Sequence, residues 1–222
     1  PLQMGRNRIA SSDPTRRHGI CHLPRDVPDV SGRLAGWMAF GISRTPSDPS
    51  VKYGDHPMKP WAERTREEAH LLNPSFCCVT IASACSGYTE SCGQTLSFAL
   101  AFMVLPIILH KHTRESLPRT SRTSVPAWLQ EHAEARIGFH ERLMALQPFT
   151  REAMLYGLTF NWIAIGDSGG IQCIAPNSLI NRSIRSLEGD AQDCVSRAHF
   201  LGKWFSTTTS TETTMALWGI RP

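Results

Sequence analysis

The apolar stretch from Leu96 to Leu109 dominates the pattern of hydrophobic and polar positions along the chain. Its fourteen residues include one polar side chain, Ser97, and one proline, Pro106. As an α-helix they would rise about 21 Å, which is short of the roughly 30 Å hydrocarbon core of a membrane, and the proline removes one helix hydrogen bond. The pattern therefore predicts a buried core helix and not a membrane span.

A basic segment, HKHTRESLPRTSRTS, follows this stretch directly. Pro118 and Pro126 prevent one long helix, so we expect a loop. The segment has a single acid, Glu115, among many hydroxyl and imidazole side chains. Arginine together with hydroxyl groups suits phosphate and carboxylate ligands. The candidate partner- or phosphate-binding residues are Lys111, Arg114, Arg119 and Arg122.

The alternative interpretation of the basic segment is a solvated connector. Its arginines would then pair with Glu131, Glu134 or Glu141. The residue pattern does not decide between the two.

Residues 1–57 differ in kind from the rest of the chain. They hold seven prolines and six glycines, with eight Lys or Arg against five Asp, and no apolar periodicity that could cover a core. Ordered patterning begins at Met58, and Thr65 with Glu68 reads as a capping box. We therefore expect two regions, a leader at 1–57 and one helical domain at 58–222. The leader is either a disordered tail or upstream DNA read in frame, with Met58 as the natural start.

A helix is predicted to begin after Asn73, because a cap residue there precedes Pro74 at the first helical position. It should run to about Ser91 and end at Gly93. The residues expected to face inward are Phe76, Val79, Ala84 and Tyr88.

Three cysteines on this helix repeat every seven residues, at Cys78, Cys85 and Cys92, and so share one face. A zinc site is one interpretation. Packing is favoured, because zinc–thiolate sites usually contain a short C-x-x-C knuckle and small buried cysteines are common on helix seams. We therefore expect no metal here.

Residues 123–175 have the order of a winged helix. The expected elements are a helix from Ser124 to Gln130, a second from about Glu134 to Leu146, a third from Thr150 to about Trp162, and two strands around Ile163–Ile165 and Ile171–Cys173. Pro148 is expected to stop the second helix. The fold class is thus mostly α, a compact helical domain with a winged-helix-like segment of three helices and a β-hairpin.

The third helix of a winged helix enters the DNA major groove in the DNA-binding versions. Here it offers Arg151 against Glu152, and the tip of the wing offers Asp167. That surface is poorly charged for DNA, so a protein-binding or structural use of the same architecture is favoured.

The hairpin turn GDSGG also matches the pentapeptide around the nucleophile of chymotrypsin-like proteases. Such a serine needs a histidine base held by an aspartate. Ala84 stands where the nearest match to the histidine segment needs its base, and Ile171 replaces the usual proline. We therefore interpret the five residues as a tight turn whose glycines permit positive φ.

A last long helix is predicted from a cap at Asp190 through about Phe205. Its apolar face contains Cys194, Val195, Ala198, Leu201, Trp204 and Phe205, and its polar face contains Arg197, His199 and Lys203. A threonine-rich link leads to a short element at Met215–Trp218, which is expected to be helical.

Composition adds few constraints. A hydrophobic share of 41%, a charged share of 19% and a net charge of +4 are ordinary for a globular protein and do not indicate a nucleic-acid partner. Seven cysteines favour reduced thiols over a disulfide framework, and no secretory signal is apparent, so the cytoplasm is expected. No nucleotide-binding glycine loop, paired catalytic acids or metal pattern is apparent, so neither catalytic residues nor cofactors are expected.

Five segments together resemble the middle component of bacterial ABC-type three-component conflict systems, a family that overlaps the Lamassu-type anti-phage systems. They are LNPSFC (72–77), the stretch at 96–129, FHERLMALQPFTREAMLYGL (139–158), RAHFLGKWF (197–205) and LWGIRP (217–222). The similarity covers roughly residues 71–222, whereas 87–93 and 174–187 fit poorly.

The resemblance implies a small non-enzymatic protein that bridges an effector and a large ATPase of the structural-maintenance-of-chromosomes kind. Any contact with DNA would then be indirect, through the ATPase. The family's central motif coincides with the four candidate cations. The alternative is a stand-alone winged-helix DNA-binding protein, whose affinity for duplex DNA should fall steeply with salt.

Overall fold

The computed structural model of the chain describes residues 64–65, 72–166 and 168–220. Within these ranges the protein is mostly α-helical, as predicted, with one two-stranded antiparallel sheet. The leader at 1–57, the start at Met58 and Glu68 of the capping box lie outside the described residues. The division of the chain after residue 57 therefore stays a prediction.

The described elements follow one another with short connections. They are α1 (Pro74–Cys92), α2 (Phe98–Ile108), α3 (Lys111–Ser116), α4 (Val125–Glu131), a 3-10 turn (Ala133–Arg136), α5 (Phe139–Thr159), β1 (Ile163–Ile165), β2 (Ile171–Cys173), α6 (Asn177–Ser186), α7 (Gly189–Phe205) and α8 (Thr211–Leu217).

Helix α1 is the central element of the fold. The Asn73 side chain accepts a hydrogen bond from the Ser75 amide at 2.9 Å, and Gly93 ends the helix with φ of 71°, as predicted from the cap residues. Every residue from 77 to 85 is buried, so this part of the helix is covered on all sides. Helices α2, α5 and α7 and strand β2 pack around it.

Helix α2 confirms the predicted core helix. Ser97 caps it by accepting from the Leu100 amide at 3.3 Å, and eight of its eleven residues are buried, Pro106 among them. Leu96 lies outside the helix and forms an antiparallel bridge with Ile171 of the hairpin. No helix in the described ranges is long and apolar enough to cross a membrane.

The closest helix contact joins α1 and α7 through two glycines. A Cβ atom at Gly202 would overlap the carbonyl oxygen of Ala84, and one at Gly87 would overlap the carbonyl oxygen of His199. The Ser83 hydroxyl donates to the Val195 carbonyl across the same contact at 3.0 Å. The two backbones can approach this closely only because both positions lack a side chain.

The predicted break at Pro148 is wrong, because residues 139–159 form the single helix α5 with Pro148 inside it. Thr150, predicted as a cap, instead donates its hydroxyl to the Leu146 carbonyl at 2.9 Å within the helix. Pro148 cannot donate to the carbonyl of Met144, but Met144 is 37% exposed, so water can reach that part of the helix. Burial of Ala153 and Met154 beyond the proline stabilises the continuation.

This continuity changes the winged-helix interpretation. Within residues 123–175, two α-helices, α4 and α5, precede the hairpin, with the 3-10 turn between them. The predicted order of three helices and a hairpin is therefore not shown. The cap of α4 is as predicted, since Ser124 accepts from the Ala127 amide at 3.4 Å.

The hairpin is confirmed, with Ile163 opposite Cys173 and Ile165 opposite Ile171. The turn between its strands uses a glycine as predicted, because Gly169 has φ of 77°. Asp167, at the expected tip, lies outside the described residues.

The C-terminal part contains one helix that the sequence did not predict, α6. Helix α7 begins at Gly189, so Asp190 lies in its first turn and is not its cap. The predicted apolar face of α7, from Cys194 to Phe205, is buried. Helix α8 confirms the expected short helical element, and it begins inside the threonine-rich link with Ser210 as its cap.

Replacing Gly202 with alanine should destabilise the protein. Glycine to alanine in a helix normally gains about 1 kcal/mol, but the new methyl group would overlap the α1 backbone, and overpacking costs about 1 to 3 kcal/mol. We expect the free energy of unfolding in urea to fall by up to about 2 kcal/mol, the larger overpacking cost less the gain in helix propensity. Ser196→Ala, at an exposed position of the same helix, is the control. A Gly202→Ala protein as stable as the parent would contradict the close contact.

Candidate partner-binding surface

The basic segment begins as a helix and not as the expected loop. Residues Lys111–Ser116 form α3, which His110 caps by accepting from the Thr113 amide at 3.4 Å. Residues 117–123 then form a turn that leads to α4. We call this stretch the basic turn.

Arg114 is directed into the protein, with 3% of its side chain exposed. Its Nε donates to Asp193 Oδ2 at 2.7 Å, and Nη1 donates to the Ile108 carbonyl at 3.0 Å. Asp190 lies 3.5 Å from its Nη2. Arg114 therefore connects α2 and α3 to the first turns of α7 through these hydrogen bonds, and the acids on α7 compensate its charge.

Lys111 lies at the surface with 62% of its side chain exposed, and it forms ion pairs with Asp190 at 3.4 Å and Glu115 at 3.8 Å. Its charge is therefore partly compensated. The acids that the connector interpretation named, Glu131, Glu134 and Glu141, pair with neither Lys111 nor Arg114 in the described structure.

Arg119 and Arg122 are the exposed cations of the basic turn, and Thr120 and Ser121 between them are exposed as well. Neither arginine forms a salt bridge with a carboxylate in the described ranges. Of the four candidate cations, these two are exposed and have no carboxylate partner among the described residues.

Internal donors hold the backbone of the basic turn. Arg197 of α7 donates to the carbonyls of Leu117 and Pro118, the latter at 3.3 Å. Burial lowers the pKa of Arg197, the Asp193 carboxylate acts in the opposite direction, and the charges of Arg119 and Arg114 lower it further. Sequence reasoning assigned Arg197 to a solvent face, because the turn that it contacts lies 80 residues away.

Two tryptophans complete this support. Trp204 Nε1 donates to the Thr123 carbonyl at 2.7 Å, and Trp128 Nε1 donates to the Ser116 carbonyl at 2.9 Å. The two indole rings contact each other edge to face at 5.4 Å between centroids. The carbonyls on both sides of the exposed arginines are thus hydrogen-bonded to buried side chains.

The three cysteines on α1 do not form one exposed cluster. Cys78 and Cys85 are buried, whereas Cys92 is exposed at the end of the helix. Burial raises the pKa of Cys78 to about 12, which keeps this thiol protonated. Among the described residues, no three His, Cys, Asp or Glu side chains come together as possible metal ligands.

A cleft of about 290 Å³ lies between α1, α6 and α7, with Ser86, Glu90 and His199 among its lining residues. Although partial burial acts in the opposite direction, hydrogen bonds from Lys203 and His199 lower the pKa of Glu90. Ser86 donates to Glu90 and not to His199, so these groups do not form the serine–histidine pair of a nucleophilic site.

Three exposed apolar side chains lie near the open end of the hairpin and were not predicted. Phe160 is 59% exposed, Ile174 is 44% exposed, and Leu155 of α5 is 42% exposed. The Ile174 amide donates to the carbonyl of Trp162 at 3.0 Å, which places Ile174 beside the chain that follows Phe160. We define the apolar patch as Leu155, Phe160 and Ile174.

Helix α5 separates the apolar patch from the basic turn. The ring of its first residue, Phe139, lies 4.7 Å from that of Trp218 between centroids, and Trp218 contacts Trp128 in turn. The Trp128 indole donates to the Ser116 carbonyl, directly before the basic turn. The 21 residues of α5 span roughly 30 Å before Phe160 is reached. The two surfaces therefore lie toward opposite ends of this helix.

In its described ranges the chain is thus a mostly α-helical protein with two separate candidate partner-binding surfaces. A family model described as "ABC-three component (ABC-3C) system Middle Component 3" matches residues 61–222. The chain belongs to this family, which confirms the resemblance found in the sequence. No curated protein and no solved structure matches the chain.

The short hydrogen bond from the buried Arg114 to the half-exposed Asp193 should contribute more stability than the longer contact with the more exposed Asp190. Asp193→Asn should lower the free energy of unfolding by about 1.5 to 3 kcal/mol, because it removes the charged acceptor nearest a buried guanidinium. Asp190→Asn should cost less than about 1 kcal/mol, since exposed ion pairs are weak. Urea denaturation of both variants at neutral pH measures the difference. Equal losses would show that the short contact between Arg114 and Asp193 contributes no more stability than the longer contact with Asp190.

Proposed function

We propose that this protein is a non-enzymatic bridging subunit of a bacterial anti-phage conflict system, working in the cytoplasm without a cofactor. It links an ATPase of the structural-maintenance-of-chromosomes kind to an effector protein. Membership in the middle-component family supports the existence of partner components. The resemblance of the five sequence segments to the middle component of three-component conflict systems supports an ATPase and an effector as those partners.

The observation that carries this proposal is the presence of two chemically different surfaces on one small helical protein. A bridge needs two contact surfaces far enough apart for two partners to bind together. The apolar patch at Phe160 suits a protein interface, because interface centres are enriched in aromatic residues. The basic turn suits an acidic partner.

A stand-alone winged-helix DNA-binding role has less support. The predicted recognition helix is the second half of α5, where Glu152 is paired with Arg64 at 2.9 Å. The second half of α5, residues 150–159, has one basic residue of its own, the exposed Arg151. A surface with so few cations would neutralise few phosphates.

Co-purification with the proteins encoded beside this gene tests the bridging role. We expect the tagged chain to retain both partners, Phe160→Glu to lose one of them, and Arg119→Ala with Arg122→Ala to lose the other. A charge at the centre of an apolar contact should reduce that binding at least tenfold, equivalent to about 1.4 kcal/mol or more.

Ala216→Glu, at an exposed position of α8, is the matched control for adding a carboxylate. It should retain both partners. Loss of neither partner from the two test variants, or absence of any partner from the parent protein, would contradict the bridging role.

A further inference from the structure

We propose that the basic turn, residues 117–123, is a preformed receptor for a short acidic segment of a partner protein. This inference rests on the bridging function and specifies the chemistry of one partner. The proposed ligand carries several Asp or Glu carboxylates within a few residues.

The first reason is the charge that the turn offers. Arg119 and Arg122 are exposed and have no carboxylate partner among the described residues, whereas Arg114 and Lys111 are paired with acids. The planar guanidinium fork matches a carboxylate with two parallel hydrogen bonds. The hydroxyl groups of Thr120 and Ser121 add two exposed donors between the arginines.

The second reason is that the backbone of the turn is already held in place. The carbonyls of Leu117 and Pro118 accept from Arg197, and that of Thr123 accepts from Trp204. These carbonyl oxygens are therefore engaged by donors of α7, the half-buried Arg197 and the buried Trp204, and are not left to repel an anionic ligand. A fixed turn also loses less conformational entropy on binding than a flexible one.

The third reason concerns the size of the positive area, which favours a peptide over duplex DNA. Two uncompensated arginines would neutralise about two phosphates, whereas DNA-binding proteins commonly contact several more. Glu115, Asp190 and Asp193 lie close by around Lys111 and Arg114, with side chains 46% to 68% exposed. These carboxylates would repel a phosphate backbone that continues from the turn past α3, whereas a short acidic segment needs to contact the turn alone.

The test measures binding of a fluorescein-labelled hexaglutamate peptide to the full 222-residue chain by fluorescence anisotropy. We expect saturable binding at low salt, and the double variant Arg119→Ala, Arg122→Ala should weaken it at least tenfold. Both side chains are exposed, so the variant should keep the parent's circular-dichroism spectrum and urea midpoint.

The matched control is Arg182→Ala with Arg185→Ala on α6. These two arginines have the same spacing and are also exposed, but they lie on a helix and not on the held turn. The control should bind the peptide within twofold of the parent. An equal loss in both double variants would reduce the effect to general attraction and overturn the proposal.

Two further outcomes would overturn it: no binding of the peptide by the parent chain, or tighter binding of a labelled 20-base-pair duplex through the same two arginines. Co-purification separates these failures from failure of the bridging role. If both partners remain on the parent protein while the peptide fails to bind, the acidic-segment inference alone is wrong. If no partner co-purifies, the bridging role itself fails, whatever the peptide does.

Discussion

The close approach of α1 and α7 is the constraint on which the rest of the described structure depends. Gly87 and Gly202 lie where each helix meets a carbonyl of the other, so no side chain separates the two backbones. This contact completes the burial of α1, whose residues 77–85 have no exposed side. A helix covered all round must be surrounded by other elements, and α2, α5 and β2 pack on its other sides.

The same contact also positions the candidate surface. With α7 held against α1, the side chains of Arg197 and Trp204 reach the carbonyls of the basic turn. Asp193, on the first turns of the same helix, receives the guanidinium of Arg114. One helix therefore supports the backbone of the turn and compensates the charge of the buried Arg114 of α3. The exposed Arg119 and Arg122 therefore lie on a turn whose backbone α7 holds in place. The packing of α7 in the core thus determines where these two charges lie on the surface.

Local signals predicted the helix ends well where a cap or a glycine acts on its own neighbours. Asn73, Ser124 and Gly93 behave as their side chains or conformational freedom require. The same reasoning was wrong at Pro148, because the loss of one hydrogen bond on an accessible side of α5 is outweighed by burial on the other. Helix α6 was not predicted, although Leu179, Ile180 and Ile184 have the spacing of one helix face.

The sequence by itself determined the helical class, the core helix α2, the hairpin and the family, because these depend on periodicity, caps, turn residues and a distinctive motif. It also placed four cations in one segment. Only the tertiary structure decided their environments: Arg114 is buried, whereas Arg119 and Arg122 face solvent. The physical reason is that Asp193, which pairs with Arg114, and Arg197, which binds the carbonyls of the turn, lie about 80 residues away in the chain. No local pattern encodes which charge such distant groups will compensate.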